Sequence, residues 1–126
     1  LASETVYRQM AEDALTKTLS DLARALGVRT SRILERVSRL IADDRLPAGE
    51  RDRALYDRRL AVFRDVKDKL KVLNTTMAFF AFGQQVDDLR RALWGALEQE
   101  ARVLQAQRDE LVASGEIDGA GAITME

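Results

Sequence analysis

Residues 18–46, TLSDLARALGVRTSRILERVSRLIADDRL, decide the fold class through the spacing of their apolar side chains. Thr18 precedes Asp21 by three positions, a capping-box pattern that favours a new helix over residues 19–26. Gly27 follows directly and suits the left-handed backbone that ends many helices. A further helix is indicated by one apolar stripe, which comprises Ile33, Val37, Leu40 and Ile41. The segment is therefore predicted to form two helices joined by a turn at Gly27.

The rest of the chain also follows helical spacing. Residues 4–16 predict a helix ahead of this segment, and Pro47 and Gly49 break the chain after it. Beyond that break, apolar residues recur at helical spacing as far as Ser114. The predicted architecture is all-α, with a three-helix unit in residues 1–46, a long antiparallel helical hairpin in 47–114, and a flexible tail or one short strand in 115–126.

Residues 18–46 resemble the helix-turn-helix of bacterial DNA-binding regulators. Leu22 and Leu26 would pack the first helix of the motif against the second. Ala23 is small at the position where the two helix axes would cross closely. In this family the second helix enters the major groove of DNA. The resemblance covers this segment alone, and it implies that residues 1–46 form a DNA-binding unit.

The net charge of −1 conceals an asymmetry along the chain. Residues 29–71 carry a net charge of +5, whereas residues 72–126 carry −5. Such a division is typical of a protein that meets an anionic partner through one part only. A helical wheel places Arg32, Arg36 and Arg39 on one flank. The residues predicted to contact DNA are Arg24, Arg29, Thr30, Ser31, Arg32, Arg36 and Arg39, with residues 29–32 at the groove.

A second notable feature is the apolar run from Met77 to Phe82, which is apolar nearly all round a helix. It could line a pocket for an apolar ligand, but core or subunit interface is the favoured interpretation. Leu97, Leu104 and Leu111 are a heptad apart, which is typical of a coiled coil and predicts a homo-oligomer. The residues predicted as core or oligomer interface are Phe63, Leu70, Met77, Phe79, Phe80, Phe82, Leu89, Leu93 and Trp94.

The absence of histidine and cysteine excludes the usual zinc sites, thiol nucleophiles and histidine-based acid–base chemistry. No glycine-rich phosphate loop occurs either, so the expectation is a protein that is not an enzyme, with no cofactor, no metal and no small-molecule substrate. The longest uncharged stretch, residues 72–86, is shorter than the ~20 residues of a spanning helix. The start of the sequence shows no signal-peptide pattern, and we expect a cytoplasmic protein without membrane contact.

Three functional hypotheses follow from these patterns. The first is a DNA-binding regulatory or accessory protein that oligomerises through its helical hairpin. The second is a non-enzymatic adaptor or chaperone that binds a protein partner through the apolar hairpin. The third is a DNA-packaging subunit, because a helix-turn-helix, a helical hairpin and a short terminal strand resemble the architecture of phage small terminases. DNA binding requires Arg29, Arg32 and Arg36 to be exposed together, whereas an adaptor needs them only as solubilising charge.

Overall fold

The computed structural model of the chain describes residues 2–43, 45–78, 80–119 and 121–126. It contains three α-helices: α1 (Ala2–Ala42), α2 (Ala48–Met77) and α3 (Gln84–Ala113). The described residues include no β-strand. The prediction of an all-α protein is therefore confirmed. None of the helices in these ranges combines the length and the apolar character needed to cross a bilayer.

The first helix differs from the prediction, because α1 is continuous where three short helices and a turn at Gly27 were expected. The Thr18 hydroxyl donates to the carbonyl of Ala14 at 2.9 Å, one turn back, instead of starting a new helix. Gly27 is exposed and helical. Its penalty in a helix, about 1 kcal/mol relative to alanine, is smaller than the gain from burying the apolar stripe that continues on both sides. That buried stripe comprises Leu19, Leu22, Leu26 and Val37.

The three helices share one hydrophobic core. Arg59 contacts Glu100, and Tyr56 contacts Arg108 further along α3, so α2 and α3 run in opposite directions. The apolar stripe of α1 packs against both of them. The largest fully buried side chains are Leu19, Phe63, Val66, Leu70, Val86, Leu93, Leu97 and Leu104.

Most residues predicted as core or interface lie in this core. The buried ones are Phe63, Leu70, Met77 and Leu93, and the partly buried ones are Phe82 and Leu89. Phe80 and Trp94 are exposed by 64% and 36%, so they lie outside this core. Phe80 lies in the connection between α2 and α3, and Trp94 is rotated by about 100° from the buried Leu93. Phe79 lies outside the described residues.

The register of α1 on α2 is defined by contacts at separate levels. Arg29 pairs with Asp65 near the middle of both helices. Leu22 and Val72, each seven residues away from that pair, line the same shallow depression. At the far end, the Glu12 carboxylate accepts a hydrogen bond from the backbone N–H of Gly83 at 2.8 Å. The two helices are therefore antiparallel, with α1 residue numbers rising as α2 numbers fall.

Candidate nucleic-acid interface

Four arginines of α1 lie on one flank of the helix. Each residue of an α-helix is rotated by about 100° from the one before it. Arg29, Arg32, Arg36 and Arg39 therefore fall within an arc of about 80°, and all four are exposed. This flank adjoins α2, because Arg29 reaches across to Asp65. The exposure required for DNA binding by Arg29, Arg32 and Arg36 is present.

Two of these arginines are already paired with carboxylates. Arg29 donates from Nη1 to Oδ2 of Asp65 at 2.7 Å, and Lys69 approaches the same oxygen at 3.3 Å. The hydrogen bond from Arg29, and after it that from Lys69, holds the pKa of Asp65 below its usual value. Arg39 donates to Glu35 one turn earlier on α1. The positive charge of both arginines is therefore partly neutralised within the chain.

Arg32 and Arg36 are the two arginines of this flank that form no ion pair within the described ranges. The register of α1 on α2 indicates which residue of α2 lies at the level of Arg36. Seven residues are two helical turns with a rotation of only about −20°. Moving seven residues along each helix from the Arg29–Asp65 pair leads to Arg36 on α1 and to Arg58 on α2. By this register, the α2 residue at the level of Arg36 is an arginine, whereas the α2 residue at the level of Arg29 is Asp65.

Arg58 completes a group that we call the basic face: Arg29, Arg32, Arg36 and Arg39 of α1 and Arg58 of α2. Arg58 is exposed and has no ion-pair partner among the residues described. The sequence alone does not single out Arg58, because its level relative to Arg36 depends on the pairing of two helices. The repeat of seven residues between Arg58 and Asp65 would identify it once that pairing is known.

The other residues predicted to contact DNA do not join the basic face. Thr30 is half-buried, and its hydroxyl oxygen is enclosed without a hydrogen-bond partner in the described structure. Ser31 is exposed but is rotated by about 140° from Arg36. Arg24 lies on a different flank and approaches Asp21 at 3.7 Å. Because α1 is continuous, residues 29–32 are distributed around the helix and cannot meet one groove together.

Comparison with known proteins places no family at this site: no family model, no curated protein and no solved structure matches the chain. The described residues contain no group of three or more acidic side chains able to hold a metal ion. Two features on which the resemblance to small terminases was based are absent from the described residues. α1 has no internal turn, and residues 121–126 contain no strand. The geometry of the basic face therefore carries the functional argument.

Proposed function

We propose that the protein is a non-enzymatic DNA-binding accessory protein that contacts phosphates of duplex DNA through the basic face. The observation that carries the proposal is that Arg32, Arg36 and Arg58 are exposed and form no ion pair within the described residues. The register set by the Arg29–Asp65 pair puts Arg36 and Arg58 at one level. Like charges at one level repel each other, and a phosphate between them would accept hydrogen bonds from both guanidinium groups. The pattern of paired and unpaired arginines along the basic face thus favours an anionic ligand.

The distribution of charge along the chain supports the same conclusion. Residues 29–42 of α1 run beside α2, and residues 48–71 of α2 complete the segment with net charge +5, so this segment is also contiguous in space. The acidic part of the sequence begins at the end of α2 and continues through α3. A polyanion is attracted by the first region and repelled by the second, which orients the protein on DNA.

The proposed contacts are to phosphates and carry little sequence information. Reading bases in the major groove needs several side chains projecting from one exposed helix end. Arg32 and Arg36 instead lie along the side of a helix that is packed on α2 over the same stretch. Such contacts position a protein on the DNA backbone and give binding that depends strongly on salt.

Removing the two opposed arginines tests the proposal. We expect the wild-type protein to bind labelled duplex DNA of arbitrary sequence at about 50 mM salt and to lose most of its affinity at about 200 mM salt. Arg36→Ala combined with Arg58→Ala should weaken binding about tenfold and lower the salt slope by about 2, one unit for each lost phosphate contact. Fluorescence anisotropy measures both quantities. Both side chains are exposed, so the helix content should stay unchanged.

Arg64→Ala provides the matched control. Arg64 is also an exposed arginine of α2 without an ion pair in the described structure, but it is rotated by about 120° from Arg58. This variant should bind DNA as wild type does. Absence of wild-type binding at low salt would refute the function, and an equal loss in Arg64→Ala would refute the assignment to the basic face.

A second variant should change DNA affinity in the opposite direction. Asp65→Asn removes the carboxylate that neutralises Arg29, so it should strengthen binding several-fold and increase the salt slope by about 1. Asp57→Asn makes the same change in net charge but removes the carboxylate beside Arg53, which approaches Asp57 at 3.9 Å and is rotated by about 140° from Arg58. Anisotropy titrations should therefore separate the two variants. Equal affinities for both would show that only net charge matters.

The adaptor hypothesis is favoured by one further observation. Val6, Tyr7 and Met10 of α1 are exposed by 56%, 71% and 61%. Tyr7 also lines a cavity of about 400 Å³ together with Phe80. Exposed apolar groups of this kind are typical of protein-binding surfaces. This hypothesis predicts no DNA binding at low salt, so the same titration distinguishes the two functions.

A further inference from the structure

The segment after α3 folds back along the helices it follows. α3 ends at Ala113, and Gly115 adopts a φ of +79°, a backbone conformation that favours glycine. The backbone N–H groups of Glu116 and Ile117 then donate to the carbonyl of Leu111, which reverses the chain direction. Residues 121–126 consequently lie over the groove between α2 and α3, and we call these residues the tail.

Side chains of the helices hold the tail by its backbone. Arg108 donates from Nε to the carbonyl of Gly121 at 3.1 Å, and Gln105 accepts a hydrogen bond from the N–H of Ile123 at 2.8 Å. Lys67 donates from Nζ to the carbonyls of Thr124 at 3.0 Å and Glu126 at 3.4 Å. Contacts of this kind recognise an extended backbone whichever chain supplies it.

Alternate side chains of the tail point into the groove. Ile123 and Met125 are partly buried and pack against the hydrophobic core, whereas Thr124 between them is exposed. A period of two residues is the pattern of an extended segment with one face buried. The groove therefore provides both backbone partners and two apolar contact points, which are the usual elements of a site for an extended peptide.

Lys67 is partly buried where it meets the tail. Its ammonium group lies 5.2 Å from the centre of the Phe63 ring. Burial, with smaller contributions from neighbouring charges, lowers its pKa. Lys67 is rotated by about 160° around α2 from Asp65, so the tail and α1 lie on opposite sides of that helix. The groove and the basic face are therefore separate surfaces.

We propose that the groove is a peptide-docking site whose occupant can be exchanged for the tail of a second copy of this chain. The tail is the segment that the structure shows to fit the groove, and a second copy carries the same segment. Gly115 and Gly119 lie between α3 and the tail, and glycines allow the connecting chain to redirect. An exchanged tail makes the same contacts as the chain's own tail, so exchange needs no new interface.

Two complementary variants of the full chain test this proposal. Ile123→Asp with Met125→Asp removes the apolar contacts of the tail and leaves the groove free. Lys67→Glu with Gln105→Ala removes three of the backbone hydrogen bonds and leaves the tail free. Circular dichroism first establishes that both variants keep the helix content of the wild type. In each variant the chain's own tail then binds its own groove more weakly and competes less with the tail of a second copy.

Sedimentation velocity of the mixed variants gives the result. At about 1 mM, the effective concentration that a short linker provides, the mixture should contain a species of twice 14.1 kDa. Its fraction should exceed that of either variant alone by about tenfold. A mixture that sediments as monomers overturns the exchange. A dimer formed equally by either variant alone overturns it too, because the dimer would then use another surface.

Discussion

Arg59→Met is expected to lower the free energy of unfolding by about 3–5 kcal/mol, because it leaves the charge of Glu100 buried without its partner. Arg59 donates from Nε and Nη2 to the two carboxylate oxygens of Glu100 at 2.8 and 2.9 Å. The two side chains are only 10% and 11% exposed. Water therefore cannot replace the lost hydrogen bonds without opening the contact between α2 and α3. Urea denaturation followed by circular dichroism measures the change.

The double variant shows whether the loss comes from the unpaired charge. Arg59→Met with Glu100→Leu replaces the buried pair by apolar side chains, and stability should return to that of the wild type or above it. Arg53→Ala is the control, because Arg53 and Asp57 form an exposed pair of α2 at 3.9 Å whose loss should change stability by less than about 1 kcal/mol. A loss as small in Arg59→Met would contradict the prediction.

This buried pair also has a consequence for specificity of packing. An ion pair inside a core of apolar side chains requires one register of α2 on α3, since a shift by one residue would separate the two charges. The sequence alone does not reveal such a pair, because Arg59 and Glu100 each look like residues of a solvated helix face. Their partnership depends on two helices that are distant in sequence.

Helix content and helix ends were predictable to different degrees. Apolar periodicity predicted an all-helical chain, and Pro47 directly precedes α2. Gly49, which was predicted to belong to the same break, lies in the first turn of α2 instead. The predicted break at Gly27 was wrong. A glycine and a capping pattern each change the free energy of a helix by only about 1 kcal/mol. Burial of an apolar stripe on both sides of Gly27, from Leu19 to Val37, outweighs them. Local patterns therefore identify where a helix can end, and packing decides whether it does.

The basic face was predictable in part for a similar reason. A helical wheel of α1 is enough to place Arg32 and Arg36 on one flank. It cannot show that Arg29 is neutralised by Asp65, or that the register puts Arg36 and Arg58 at one level, since both depend on the pairing of α1 with α2. The tail groove was missed too, because Lys67 and Gln105 contact backbone atoms, which leave no pattern in a sequence.

Substitutions at Gly27 distinguish a continuous α1 from a helix-turn-helix by the sign of their effect. Gly27 is exposed and helical, and a Cβ built on it meets no atom within 4 Å. Gly27→Ala should therefore raise the free energy of unfolding by about 1 kcal/mol, the difference in helix propensity. Gly95→Ala in α3 should give the same gain, because Gly95 has equally open surroundings. In a left-handed turn, alanine at position 27 would be destabilising instead.

Gly27→Pro gives the larger effect at the same site. Proline removes one backbone hydrogen bond in the middle of α1 and clashes with the preceding turn, so we expect a loss of about 3 kcal/mol or more. The loss of stability should affect the packing on both sides of Gly27, since the buried residues Leu19, Leu26 and Val37 belong to one continuous helix. Urea denaturation should consequently remain a single transition of lower midpoint. Two separate transitions, or a gain absent in Gly27→Ala but present in Gly95→Ala, would show that α1 is broken at Gly27.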